Sequence, residues 1–246
     1  KPTFLKEHAE LYPQIYHYMN QIDYSGVREA DGVDICREYF DVNAEHVLDP
    51  VFLLNSEEYH ELSQRAARKP EGRYMAVYEL NPKARLTSAI QYIQKETNLK
   101  RVNMGPGSQE KWERKQGNAD MPWMPDVQVE EWLYIMENAE YIVTDSFHGI
   151  CFAIIFRKPF IVVLHKKSRS ERISSLLGKL GLMDRWYSTY KEFEANIDII
   201  HKPIDYERVY QILNAEIMKS VKWLQKAISS KKYIFNEPID SMPVST

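Results

Sequence analysis

The sequence predicts an α/β fold of two Rossmann-like lobes, the first incomplete, with a long C-terminal helix packing back across both. Three observations predict it. Tyr141-Ile-Val-Thr144, Gly149–Arg157 and Phe160–Leu164 read as buried strand, buried helix and buried strand within about 25 residues, a βαβ crossover that requires a parallel sheet. Ser25–Glu29, Val33–Tyr39 and Glu45–Leu48 repeat that order near the start, stopped by Asp49-Pro50. Tyr206, Tyr210, Leu213, Ile217, Val221, Leu224 and Ile228 then form the longest helical stripe in the chain, opened by Asp205.

The other elements follow in order. Residues 4–20 carry Leu5, Leu11, Ile15 and Tyr18 at helical spacing, weakened by Pro13. Residues 55–70 are polar with an Asn55 or Ser56 cap and read as a connecting helix and linker. Tyr74–Tyr78 is a strand, and Leu86, Ile90, Ile93 and Thr97 mark a helix that Asn98 can end. Leu99–Val102 is the next strand. Residues 103–126, rich in Gly and Pro and holding Trp112 and Trp123, have no period and form a long loop. Val129, Trp132, Leu133 and Met136 define a helix leading to Tyr141. Ser170 can cap a helix bearing Ile173, Leu176, Leu177 and Leu180, closed by Gly181. The expected division is residues 1–55 as the remaining part of the first lobe, 56–70 as linker helix, 71–200 as second lobe, and 201–246 as C-terminal helix and tail. One strand–helix–strand unit cannot make a sheet covered on both faces, so further strands are expected ahead of Lys1.

Composition narrows the class. The chain has 246 residues, 44% hydrophobic and 27% charged, as in a soluble globular protein. A net charge of −3 gives no support to a general nucleic-acid binder, although local basic clusters can still grip a small anion. Cys36 and Cys151 lie far apart and read as reduced, buried thiols; no Cys/His spacing supports a metal. The apolar run 150–164 is cut by Arg157-Lys158-Pro159 and cannot span a bilayer.

In parallel sheets ligands sit beyond the carboxyl ends of the strands, where helix N-termini offer N–H groups to anions. Asp145, Ser146, His148 and Gly149 fall at such a turn. His148 is the candidate for proton transfer near neutral pH, against the plainer role of bracing its loop. Ser146 reads equally as helix cap or ligand contact, and Asp145 as holding the turn, orienting His148 or, less readily, acting in catalysis directly. Arg28 with Glu29 reads as a structural ion pair or a functional cation. Arg169 and Arg172 again follow a strand's carboxyl end and can bind an anion, or simply start a solvated helix. Gly105-Pro-Gly-Ser108 lacks the lysine of a phosphate loop and reads as a turn. Trp112 and Trp123 can stack on a sugar or pin their loop.

Asn138-Ala-Glu-Tyr-Ile-Val-Thr-Asp-Ser-Phe-His-Gly149, then Arg157-Lys-Pro-Phe-Ile161 and Ser170-Glu-Arg-Ile-Ser-Ser-Leu-Leu-Gly-Lys-Leu-Gly-Leu182, resemble the polysaccharide pyruvyltransferase family. Gly26-Val-Arg28-Glu29 and Val47-Leu-Asp-Pro50-Val-Phe-Leu-Leu54 add to the resemblance in the expected order, which runs from about residue 22 to 187. The resemblance implies a fold similar to GT-B glycosyltransferases. It also implies transfer of a pyruvyl group from phosphoenolpyruvate to two sugar hydroxyls of a surface polysaccharide, with no cofactor. By resemblance, His148 matches the family's active-site histidine and Arg28 an arginine that reaches the donor. Where some members carry arginine two residues before that histidine, this chain has Ser146, so either a second cation comes from elsewhere or the donor differs. The implied setting is cytoplasmic, with a glycan acceptor linked to lipid or nucleotide and room for peripheral membrane contact. The alternatives are a GT-B glycosyltransferase using a nucleotide sugar and a catalytically incomplete glycan-binding fragment.

Overall fold

The computed structural model describes residues 11–80, 84–104, 126–163 and 170–230. Arg169, Leu5, Trp112, Trp123, the Gly105–Ser108 turn and the tail after residue 230 lie outside these. The helix expected at 4–20 is seen as α1 (Tyr12–Met19), entered through Pro13 in its first turn, where the missing N–H is not needed. β1 (Ser25–Val27), α2 (Ala30–Phe40) and β2 (Ala44–His46) form the first crossover, with β1 and β2 parallel and Ser25 opposite Ala44. Asp41, at φ 55°, turns the chain out of α2. After a single 3-10 turn at Pro50–Phe52 comes α3 (Ser56–Ser63), whose Asn55 and Glu58 form a reciprocal capping box.

The second lobe is a fully parallel sheet of five strands in the order β4-β3-β5-β6-β7. Its strands are β3 (Tyr74–Tyr78), β4 (Lys100–Met104), β5 (Tyr141–Thr144), β6 (Phe160–Val163) and the two-residue β7 (Trp186–Tyr187). Helices α4 (Ala84–Thr97), α5 (Val129–Asn138), α6 (Phe147–Ile155), α7 (Ser170–Leu180) and α8 (Tyr190–Glu194) flank it, and α9 (Tyr206–Ser229) closes the chain. Alternate side chains feed two apolar layers. Ala76, Val102, Ile142 and Val162 meet α5, α6, α7 and α9, whereas Met75, Val77, Val143 and Ile161 meet α4 and α8. The strand at Trp186 was not expected, because two residues carry no period. The chain runs from β3 out to β4 and back to β5 on the other side of β3, so the strand order reverses between β3 and β5.

α6 is held at both ends, which fixes the turn before it. Ser146 Oγ accepts from Gly149 N at 3.3 Å, and Thr144 Oγ1 accepts from Ser146 N at 3.0 Å while donating to the Tyr78 carbonyl at 2.7 Å. At the other end the Tyr206 hydroxyl donates to the Lys158 carbonyl at 2.5 Å and that of Tyr210 to the Ile155 carbonyl at 3.0 Å, satisfying groups that a helix end leaves open. Arg157, at φ 52°, carries the chain from α6 toward β6 and lies 4.3 Å from the Tyr210 ring. α9 thus grips the second lobe by its first turns and the first lobe by its last. Ser220 Oγ accepts from Leu48 N at 2.9 Å, and the Trp223 ring covers Gly26 so closely that a Cβ there would sit 2.6 Å away.

The linker is bound just as firmly. Arg68 donates to Glu131 of α5 through Nε (2.8 Å) and Nη2 (2.6 Å), and Ser63 and His60 both reach Glu137. The hydrogen bonds from Arg68 hold the Glu131 carboxyl at about 2, against an ordinary 4.5. A depressed carboxylate contributes stability that is complete above about 4.5 and lost as pH falls toward 2. Arg68→Met should therefore flatten the acid limb of a urea-midpoint profile between those pH values; an unchanged limb would remove the pair from the acid response. A Cβ on Gly149 would lie 2.4 Å from Thr144 Oγ1, so Gly149→Ala should lower the unfolding free energy by about 1–3 kcal/mol in urea titration.

Candidate active site

The reversal of strand order between β3 and β5 opens a crevice at their carboxyl ends, the place where parallel sheets bind ligands. A cleft of about 360 Å³ lies there, lined by Leu80, Asp145, Ser146, Phe147, His148 and Arg172 with Ile173. Asp145 Oδ1 accepts from Leu80 N at 2.6 Å, joining the tips of β5 and β3. Ser146 is buried and caps α6, which engages the Gly149 N–H within the turn. Gly149 serves the site by letting α6 come this close to β5. Phe147 and His148 are the first two residues of α6, and the His148 side chain is 48% exposed.

The first lobe meets this turn through one carboxylate. Asp49, directly after Leu48 and only 3% exposed at its side chain, accepts from Val51 N to start the 3-10 turn. Its Oδ2 lies 2.5 Å from Arg28 Nη1 and 3.5 Å from His148 Nε2. Arg28 follows β1 and His148 opens α6, so two residues predicted separately converge on a single buried oxygen. Burial weakens the hold of Arg28 on its proton, but the hydrogen bond and charge of Asp49, with Glu29 beside it, raise it above the usual range. The guanidinium is a fixed charge. It also lies 5.4 Å from the Phe147 ring centroid, with Arg172 at 5.7 Å from the same ring.

Asp49 was missed as a site residue. By sequence Asp49 is a strand stop and a member of the motif around Val47, and neither marks it as a site residue. Glu79 was missed too. It is 1% exposed beyond the end of β3, and burial, then the charge of Asp145, push its carboxyl up to about 8 against the pull of Arg101. It directly precedes Leu80, which lines the crevice. Cys151 of α6 and Cys36 are free and buried, and complete burial raises the Cys151 thiol well above its ordinary range, leaving it inert. Among the described residues there is no group of three or more His, Cys, Asp or Glu able to hold a metal, and no helix is long and apolar enough to cross a membrane.

Solved structures similar to this chain include UDP-GlcNAc 2-epimerase from Neisseria meningitidis bound to UDP-GlcNAc, at 14% identity over 82% of this chain and 60% of that one, with a TM-score of 0.55. The wall teichoic acid polymerase TagF is similar at 10% identity over 91% of this chain and 61% of that one, with a TM-score of 0.45. The chain thus spans about 60% of the length of these proteins. The fold is GT-B-like, with the expected long C-terminal helix at α9. No curated protein matches the sequence. The family model described as polysaccharide pyruvyl transferase matches residues 6–167, more than half of the 246, taking in Arg28, Asp49 and His148, and the chain belongs to that family.

Proposed function

We propose that this chain transfers a pyruvyl group from phosphoenolpyruvate to two hydroxyls of a sugar in polysaccharide biosynthesis. The observation that carries this reading is the meeting of His148 and Arg28, one from each lobe, on the buried Asp49 at the edge of the switch-point cleft. In the reaction two C–O bonds form at C2 of the donor and the bond to phosphate breaks. Of the two hydroxyl protons, one ends on C3, making the methyl group, and the other on the released phosphate. No redox partner is required.

The residues divide this work by chemistry. A donor carrying carboxylate and phosphate needs fixed cations with oriented donors, which Arg28 supplies from the first lobe and Arg172 from the second. A half-exposed imidazole beside the cleft can move protons between an acceptor hydroxyl and the donor. Asp145 holds the floor of the cleft by tying β5 to β3. Arg169, beyond the described residues, stays a candidate for the same anion by its place in the sequence. Phosphoenolpyruvate is a cytoplasmic metabolite, which places the proposed reaction there, and the acceptor is a glycan linked to lipid or nucleotide. No metal and no cofactor enters this scheme.

The rival reading, a nucleotide-sugar transferase, takes support from the UDP-GlcNAc held by the Neisseria structure of similar fold. Thermal melts separate the two. At a hundredfold excess over its dissociation constant phosphoenolpyruvate should raise the melting temperature by about 5–10 °C, with UDP-GlcNAc giving no shift. The reverse pattern would transfer the assignment to the rival, and a shift from glycan alone would leave a binding module. His148→Ala should lower kcat/KM for pyruvyl transfer by about 10²–10⁴-fold with an unchanged circular dichroism spectrum. A variant that retains the parent rate would take His148 out of the chemistry.

A further inference from the structure

We infer that Arg28 and Arg172 together form a two-guanidinium subsite for a phosphate-bearing anion, and that Glu29 occupies it as a displaceable internal counterion. The inference rests on the donor reading above and adds the group that competes with the donor for its two cations. Glu29 Oε1 lies 3.4 Å from Arg28 Nε and 3.4 Å from Arg172 Nε. One oxygen therefore bridges two cations that come from different lobes. Both guanidiniums also lie within 6 Å of the Phe147 ring centroid, so the ring fixes where each can sit.

The two carboxylates at this point differ in how they are held. Asp49 is buried, and its close contact with Arg28 and its bond from Val51 N fix it in the scaffold. Glu29 is 31% exposed, and both of its contacts are long for a charge-assisted hydrogen bond, which prefers about 2.7–2.9 Å. Glu29 is the residue just ahead of α2 and makes no capping hydrogen bond to it. Its side chain is turned to the arginines instead. Arg28 and Arg172 are 34% and 33% exposed, open enough for an anion to reach. Arg172 also lines the cleft beside His148. A phosphate offers three oxygens and more charge than one carboxylate, so it can take both Nε groups where Glu29 holds each at arm's length.

A structural ion pair and a displaceable counterion give opposite results when Glu29 is neutralised. Binding of phosphoenolpyruvate, and separately of inorganic phosphate, should be measured calorimetrically on the parent chain, Glu29→Gln, Arg172→Met and Arg172→Lys. Glu29→Gln should bind both anions about three- to tenfold more tightly, with a lower melting temperature without ligand and a larger rise on adding it. Arg172→Met should weaken both at least about tenfold, and Arg172→Lys should recover part of the loss. Weaker or unchanged binding in Glu29→Gln overturns the inference, as does parental affinity in Arg172→Met. The donor reading fails separately. If inorganic phosphate follows this pattern while phosphoenolpyruvate binds no better than phosphate, the subsite stands and the donor is another phosphate ester. If phosphoenolpyruvate binds tightly and neither substitution matters, the donor reading stands and the subsite falls.

Discussion

The arrangement of the site depends on one buried oxygen, Asp49 Oδ2, which lies against Arg28 and within 3.5 Å of His148. A carboxylate withdrawn from water is tolerated only where cations and N–H donors replace its hydration. Asp49 has the guanidinium of Arg28, the amide of Val51 and the edge of the His148 ring. Those partners come from the loop after β1, the 3-10 turn and the start of α6. The same requirement that stabilises the buried charge therefore fixes the first lobe against the second, and with it the spacing of the two residues proposed to handle the donor. Removing the carboxylate would leave Arg28 held by a 3.4 Å contact with Glu29 and a ring, too loosely to define a site.

For that spacing to hold, α6 must not slide. Its N-terminus is locked by Thr144, Ser146 and the absence of a side chain at Gly149, and its C-terminus by the tyrosines of α9. The middle of α6 is buried on nearly every side, against β5, β6 and α9. Helix α9 does more than close the sheet. Through Tyr206 and Tyr210 it fixes α6, through Lys179 and Glu216 (2.6 Å) it fixes α7, and through Ser220 and Trp223 it fixes β1 and the segment after β2. The elements that carry Arg28, His148 and Arg172 share one helix as their common support.

How much of this was legible depended on whether the signal was local. The β5–α6–β6 crossover was plain because a run with no polar side is diagnostic of burial in a parallel sheet, and the stripe from Tyr206 to Ile228 was plain because it keeps its period over six turns. β7 was invisible at two residues. In the site, His148, Asp145 and Ser146 could be picked out because turns after parallel strands are where such residues matter. Asp49 could not. Its importance comes from burial between elements distant in sequence, and next to a proline an aspartate carries the same local signal whether it stops a strand or anchors a cation. Glu29 was half legible: beside Arg28 it read as an ion pair, and nothing in the sequence placed Arg172 on its other side.

On the proposed reading, the charges at the interface explain why the site can take an anion without collapsing. Two guanidiniums near one phenyl ring would repel by roughly 1–3 kcal/mol at a surface-like dielectric, before solvent screening reduces that figure. Two carboxylates offset them, one buried and one at the surface. Because Asp49 is bound from several sides, an incoming anion cannot displace it, and Arg28 stays positioned whether or not a ligand is present. Glu29 has no such support, its two contacts being 3.4 Å each, so the proposed exchange of partners falls to it and to Arg172. On the proposed reading, the buried carboxylate sets the geometry and the exposed one sets how strongly the donor is held, two requirements that a single acidic residue could not meet at once.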